Sequence, residues 1–174
     1  MKIGIIGDTH DQIPELKKAI QTLRDEKIDL LIHAGDWVSA FTLEYYREMH
    51  CPIRGVWGNN VGDPRFQVMA HKVGLDLEIA DVYSEVYDGR RVHVAHELDK
   101  AEHMDSADVF IYGHDHVAKI EEKRGMVYIN PGTLLRETFP WLTARPSVAV
   151  YDTASNQAGL LSLDSRARFK PVIR

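Results

Sequence analysis

Residues 2–10 read KIGIIGDTH, and this stretch decides the fold. Lys2 to Gly7 is a short β-prone apolar run, and the polar group Asp8-Thr9-His10 follows it directly. A helical signal comes next: Leu16, Ile20 and Leu23 recur at helical spacing between Pro14 and Lys27, with Pro14 near the first turn. Further apolar runs at Asp29 to His33 and Ile53 to Trp57 enclose a second helical segment, Ser39 to Met49, with Ser39 as a candidate cap. Strands alternating with helices imply parallel βαβ units.

The second half changes character. Val82 to Tyr87, Arg91 to Ala95, Val109 to Tyr112, Lys119 to Glu122, Met126 to Ile129, Ser147 to Tyr151 and Gly159 to Leu163 read as short strands. Asp88-Gly89 and Arg124-Gly125 read as hairpin turns, and Asp99 to Asp105 as the one helix there. Many strands in a chain of 174 residues point to two packed sheets with helices outside, in a single domain spanning residues 1–174. No linker, repeat or low-complexity run divides the chain.

Composition sets broad limits. The net charge of −5 argues against a nucleic-acid polymer as main partner, because such sites need a basic surface. No apolar stretch approaches the roughly 20 residues that span a bilayer, and the first apolar run is too short for a signal peptide. One cysteine, Cys51, permits no internal disulfide. These features lead us to expect a cytoplasmic protein with no membrane partner. A homo-oligomer stays open through the apolar residues Phe41, Val61 and Trp141.

Five polar clusters each follow an apolar strand: Asp8-Thr9-His10, Asp36, Asn59-Asn60, His96 and His114-Asp115-His116. Gly7, Gly35, Gly58 and Gly113 precede four of them, where the chain must turn tightly or let a ligand approach. In α/β sheets, the loops beyond the carboxyl ends of the strands form the binding crevice, so these clusters converge on one side. Asp8 and His10 lie two apart, as do His114 and His116, a spacing that aims both members of a pair one way in an extended loop. Two carboxylates, four imidazoles and one amide are more ligands than one cation needs. They suit two, with a carboxylate such as Asp36 shared. Mixed N and O donors without thiolate fit Mn, Fe, Co, Ni or Zn better than Ca²⁺ or Mg²⁺. Two divalent ions bring four positive charges, and Asp8 and Asp36 cancel two, which leaves charge to hold phosphate. Such a pair clamps the attacking and leaving oxygens of an in-line displacement and makes hydroxide from a bridging water near neutral pH.

The order D-x-H, G-D, G-N-N, H, G-H-x-H resembles the calcineurin-like metallophosphoesterases, in particular their small single-domain phosphodiesterase branch. The resemblance runs from Met1 to about Asp152 and includes Asn130-Pro131-Gly132-Thr133, similar to that branch's NPG-S/T turn. It implies a metal-dependent phosphoric ester hydrolase, most naturally a phosphodiesterase of small phosphate esters. The implied fold is a four-layer α/β/β/α sandwich of two mixed β-sheets. It further implies one metal on Asp8, His10, Asp36 and His116 and another on Asp36, Asn59, His96 and His114, with Asp36 and a hydroxide bridging. Manganese is the first expectation for both. His96 and His114 then stabilise the charged oxygens, and Asn60 is a candidate to touch the phosphate.

Three positions depart from the family pattern. Asn60 stands where many relatives have a leaving-group-protonating His, Val61 where an acidic residue is common, and Glu97 where Gly is common. An amide does not donate a proton readily, which favours esters with good leaving groups; Glu97 is a candidate substitute acid. The rival reading is a non-catalytic interaction scaffold on the same fold, similar to the retromer scaffold subunit.

Other polar residues have blander readings. His33 belongs to a strand and reads as a core residue beside the ligands, and His93, three before His96, faces the opposite side. His50, His71 and His103 read as surface, Asp11 as a cap for the helix near Pro14, and Asp115 as solvent-facing. Arg136 and Arg145 flank the aromatic Phe139 and Trp141 and read as surface cations that could reach phosphate. Cys51 reads as a packed small residue.

Overall fold

The computed structural model describes residues 1–60, 62–103, 107–136, 138–139, 142–143, 145–164 and 168–169. The opening stretch forms β1 (Lys2–Ile6), followed by α1 (Ile13–Asp25) and β2 (Leu30–His33). A short helix α2 (Leu43–Tyr46) lies between 3-10 turns at Ala40–Thr42 and Arg47–Met49, and leads to β3 (Ile53–Val56). Then come α3 (Phe66–Val73), β4 (Leu77–Ala80), β5 (Val82–Tyr87), β6 (Arg90–Ala95), β7 (Val109–Ile111), β8 (Lys119–Lys123) and β9 (Met126–Asn130). The chain continues with β10 (Thr138–Phe139), β11 (Leu142–Thr143), β12 (Ser147–Asp152), β13 (Gln157–Ser162) and β14 (Arg168–Phe169).

Two mixed sheets result. The first runs β14-β13-β12-β1-β2-β3-β4, with β1 through β4 parallel and β12 antiparallel to β1. The second runs β5-β6-β7-β9-β8, with a parallel centre β6-β7-β9 and antiparallel edges. Ile3, Ile5, Leu30, Ile32 and Val56 of the first sheet pack against Val92, Val94, Val109, Ile111 and Ile129 of the second. The other face of the first sheet packs Ile6, Leu31 and Ile53 against Leu16, Ile20 and Leu23 of α1 and Leu43 and Phe66 of the following helices. Both faces are covered, so the central strands are apolar throughout, as in buried parallel sheets. Outside the second sheet, Ala95, Phe110 and Tyr112 form a small third cluster. The only helical segment next to it among the described residues is the 3-10 stretch Leu98–His103, so that outer layer is thin.

The expected strands all form. Asp88 and Arg124, at φ 50 and 53 with a positive-φ glycine after each, make the two hairpin turns as type I′. Three expectations need correction. The helix read over Ser39 to Met49 is one α-turn between two 3-10 turns, where Thr42, Tyr45 and Tyr46 contribute little intrinsic helix propensity. The helix read over Asp99 to Asp105 is 3-10, and residues 104–106 lie outside the described residues. The sequence reading did not find α3 or β4; β4 is a four-residue edge strand, too short for its Leu77-Glu78-Ile79 alternation to stand out. Of the three residues considered for an interface, Phe41 is exposed, whereas Val61 and the Trp141 side chain lie outside the described residues. No described helix is long and apolar enough to cross a membrane.

Candidate metal centre

The carboxyl ends of β1, β2, β3, β6 and β7 meet at one end of the sandwich, and the five polar clusters sit on the loops that leave them. The backbone there is unusual. Asp8, His10, Asp36, His114 and His116 have φ of 47, 42, 59, 72 and 60, the left-handed region. Such torsions occur in non-glycine residues mainly where surrounding structure holds them, and they cluster at functional sites. Here they turn each side chain inward within two to five residues of its strand.

The first donor set is Asp8, His10, Asp36 and His116, each offering one atom within 4.8 Å of all the others. His10 Nε2 lies 3.4 Å from Asp36 Oδ2 and 3.1 Å from His116 Nε2, and His116 Nε2 lies 3.3 Å from Asp8 Oδ1. Ligands about 2.0–2.2 Å from a tetrahedral ion are about 3.3–3.6 Å apart, so these spacings already suit a shared cation. Burial holds the His10 ring below the ordinary imidazole pKa, while the hydrogen bond to Asp8 raises that of His116. The Asp8 and Asp36 side chains are 0% and 1% exposed, yet among the described residues their only ion-pair partners are imidazoles. Buried carboxylates without a Lys or Arg need positive charge from elsewhere. The donor set therefore fits a divalent metal.

A second set adjoins it through Asp36. His96 Nδ1–H donates to the Ala34 carbonyl at 2.8 Å, which leaves Nε2 as a lone-pair atom facing the site. That atom lies 3.4 Å from Asp36 Oδ1 and 2.9 Å from Asn59 Oδ1, and Asn59 Oδ1 lies 2.9 Å from His114 Nδ1. A lone pair facing two oxygen acceptors is unfavourable unless a cation lies among them. Asp36 thus turns Oδ2 toward His10 and Oδ1 toward His96.

The supporting residues explain the motif spacings. At Gly58 φ is +93, and a Cβ there would lie 2.4 Å from Asp36 Oδ1, so only glycine lets the chain pass. His114 N–H donates to both Asp8 oxygens at 3.2 and 3.1 Å. Asn130 Nδ2 donates to the Gly113 carbonyl and to Asp115 Oδ1, which shapes the His114–His116 loop. Thr133 Oγ1 donates to the Asp8 carbonyl at 2.8 Å, so the NPGT turn braces two ligand loops at once. His33 is fully buried and stacked on Trp37 at 3.6 Å. Its Nδ1 accepts from Gly35 N–H, so Nε2–H donates to Thr9 Oγ1, which in turn donates to the Asp36 carbonyl. Burial drives its pKa well down, so it stays neutral.

Other candidates lie elsewhere. Arg136 donates to Glu15 through Nε at 2.7 Å and Nη2 at 3.1 Å and pairs with Asp164, which fixes it away from phosphate. Arg145, His50 and His71 are exposed, and the His103 side chain lies outside the described residues. Among the described residues, the one ion-pair partner of the Glu97 carboxylate is Lys100, at 4.0 Å. Asp11 does not cap α1, whose N-cap is Gln12; its carboxylate instead accepts from Ser39 N–H and Oγ–H, and Ser39, at the N-cap position of the 3-10 turn Ala40–Thr42, makes no side-chain cap bond. Asp115 is exposed, with Oδ1 held by Asn130 and Val117 N–H. Cys51 is half-buried, with its thiol pKa pushed up by burial. His93 faces away from His96, as its register requires, and stacks on Phe110. Sequence reasoning noted the Asn130 turn without its role and missed Thr133 and Thr9 as braces; their only signal was adjacency to the motifs.

Residues 1–156 match the calcineurin-like phosphoesterase superfamily domain. The chain is 32% identical over 163 residues to a phosphodiesterase of Methanocaldococcus jannaschii, covering 90% of this chain and 96% of that protein. A solved archaeal phosphodiesterase superposes with a TM-score of 0.83 at 31% identity, covering 93% of this chain and 99% of the other. Vps29 of Entamoeba histolytica, solved with Zn²⁺, shares the fold at 17% identity with a TM-score of 0.70, over 97% of this chain and 96% of the other. With this match along most of its length, the chain belongs to the calcineurin-like phosphoesterase superfamily of metal-dependent hydrolases.

Proposed function

We propose that this metallophosphoesterase is a binuclear phosphodiesterase acting on small phosphate diesters. Asp8, His10, Asp36 and His116 hold one divalent ion, Asp36, Asn59, His96 and His114 hold the second, and manganese is the preferred metal. The observation that carries this reading is the pair of buried carboxylates whose ion-pair partners, among the described residues, are all imidazoles. Bound cations there supply positive charge for the phosphate oxygens and lower the pKa of a water held between them.

The chain's own residues supply the geometry. Asp36 fixes the two donor sets side by side through its two oxygens. Of the seven donors, His114 and Asn59 are the exposed ones, so they border the face where substrate arrives. His96, held by Ala34, cannot rotate to deliver a proton. With Asn60 in place of a protonatable group and Glu97 turned to Lys100, the leaving oxygen departs without a proton from either residue. That favours diesters with acidic leaving groups over alkyl esters. The ligand set is intact, which supports hydrolysis over the scaffold reading. The single cysteine supports a cytoplasmic setting, and residues 1–174 act as one unit.

Asp36→Ala tests the reading. It removes the atom pair common to both donor sets, so Mn²⁺-dependent cleavage of an aryl phosphodiester should fall to background while the far-UV circular dichroism stays unchanged. Full activity in that variant would defeat the proposal.

A further inference from the structure

The two buried carboxylates are held differently. Asp8 takes its backbone donor from His114 N–H, and its side-chain neighbours are imidazoles. Asp36 takes a backbone donor from Asn60 N–H, 2.8 Å from Oδ1, and a side-chain donor from Asn60 Nδ2, 2.8 Å from Oδ2. One residue therefore grips both oxygens of the carboxylate that faces both donor sets. Gly58, two residues earlier, is pressed against Asp36 Oδ1 and the Asp36 backbone N. The G-N-N motif thus acts as a whole on Asp36: Gly58 leaves room, Asn59 completes the second donor set, and Asn60 sets the angle.

We infer that Asn60 is a positioning residue for the shared carboxylate, and does not contact the substrate phosphate. A carboxylate has one free torsion at its end, and a broad one. Two N–H donors placed one on each oxygen fix that torsion. The fixed plane is the one in which Oδ2 stands 3.4 Å from His10 Nε2 and Oδ1 stands 3.4 Å from His96 Nε2. Free rotation would aim the carboxylate at one donor set and away from the other. One of the two Nδ2 hydrogens of Asn60 is donated to Asp36, which pins the amide against the carboxylate and keeps it from turning freely toward a phosphate. Neutral Asn also adds no charge beside the carboxylate, whereas an acid there would repel it. Partners that orient metal ligands typically change metal affinity 10- to 100-fold, on the order expected here.

This inference rests on the binuclear reading above, and the experiment separates the two. Mn²⁺ is titrated calorimetrically into chelator-treated wild type, Asn60→Ala and Asn60→Ser, and aryl-diester hydrolysis is followed at each Mn²⁺ concentration. The expected result is an affinity for Mn²⁺ about tenfold weaker in Asn60→Ala, with Asn60→Ser in between because a short hydroxyl donor remains. Activity lost by these variants should return as Mn²⁺ is raised, with KM for the diester unchanged at saturating metal. The absorption of Co²⁺ bound in place of Mn²⁺ should shift in Asn60→Ala, because the carboxylate plane is released. An unchanged Mn²⁺ affinity with a raised KM would overturn the inference and return Asn60 to the phosphate. Should Asn60→Ala fail to fold by circular dichroism, the Asn60→Ser comparison decides by the same criteria. A wild type that binds no Mn²⁺ would instead overturn the binuclear reading itself.

Discussion

Asp36 is held on both carboxylate oxygens, and the constraint comes from neighbours in the G-N-N motif. Gly58→Ala tests it without touching a ligand. The added Cβ would stand 2.4 Å from Asp36 Oδ1 and 2.5 Å from Asp36 N, at a φ of +93 that alanine resists. The strained backbone should cost about 1–3 kcal/mol in urea unfolding, and calorimetry should show weakened Mn²⁺ binding alongside it. Unchanged binding would show that the loop relaxes freely. At this scale the sequence was informative about identity and poor about direction. That Asp8, His10, Asp36, Asn59, His96, His114 and His116 gather at one edge was legible because each follows a strand that ends there. That Asn60 donates to Asp36, that Asp11 reaches Ser39 and that Arg136 reaches Glu15 was not. Those bonds join residues 24, 28 and 121 positions apart, and no local spacing encodes them.

Among elements, the parallel strands and hairpins followed from apolar runs and turn residues, whereas α3 and β4 carried too little buried surface to mark themselves. The segment after the NPGT turn shows how elements are tied without a core. Arg136 is clamped by Glu15 of α1 and by Asp164 beyond β13, and these bonds raise its pKa and lower that of Glu15. Arg136→Ala leaves the buried Glu15 with Lys18 as its ion-pair partner among the described residues. A charge-assisted bond to a mostly buried acid contributes roughly 1–2 kcal/mol, discounted here because the Arg136 side chain is partly exposed. Urea unfolding should register that loss while KM for the aryl diester stays put. A raised KM with unchanged stability would mean the arginine serves the substrate.

Across the whole molecule, two sheets share one interior and differ in their outer cover. The first is sealed by three helices, while the thin layer over the second leaves His93 with a peculiarity: among the described residues, neither of its buried ring nitrogens has a hydrogen-bond partner. Burial lowers its pKa, and that of His33 as well. The unfolded chain protonates these rings below about pH 6.5 while the folded chain resists. Their contribution to stability is therefore complete above that pH and is lost progressively as pH falls from there toward the lower folded-state values. His93→Phe, which stacks on Phe110 without the orphaned polar atoms, should raise stability at pH 7.5 by about 1 kcal/mol. It should also flatten the acid-side decline in urea midpoints measured with chelator present; an unaltered decline would assign the effect to other groups. The left-handed torsions at Asp8, His10, Asp36, His114 and His116 have a wider consequence. Each costs an ordinary side chain about 1–2 kcal/mol that glycine would avoid. A lineage that ceased to use the cations would therefore gain robustness by discarding these side chains, and decay of the centre runs downhill. A chain that still carries all five stands against that gradient, as a tool kept sharp stands against rust.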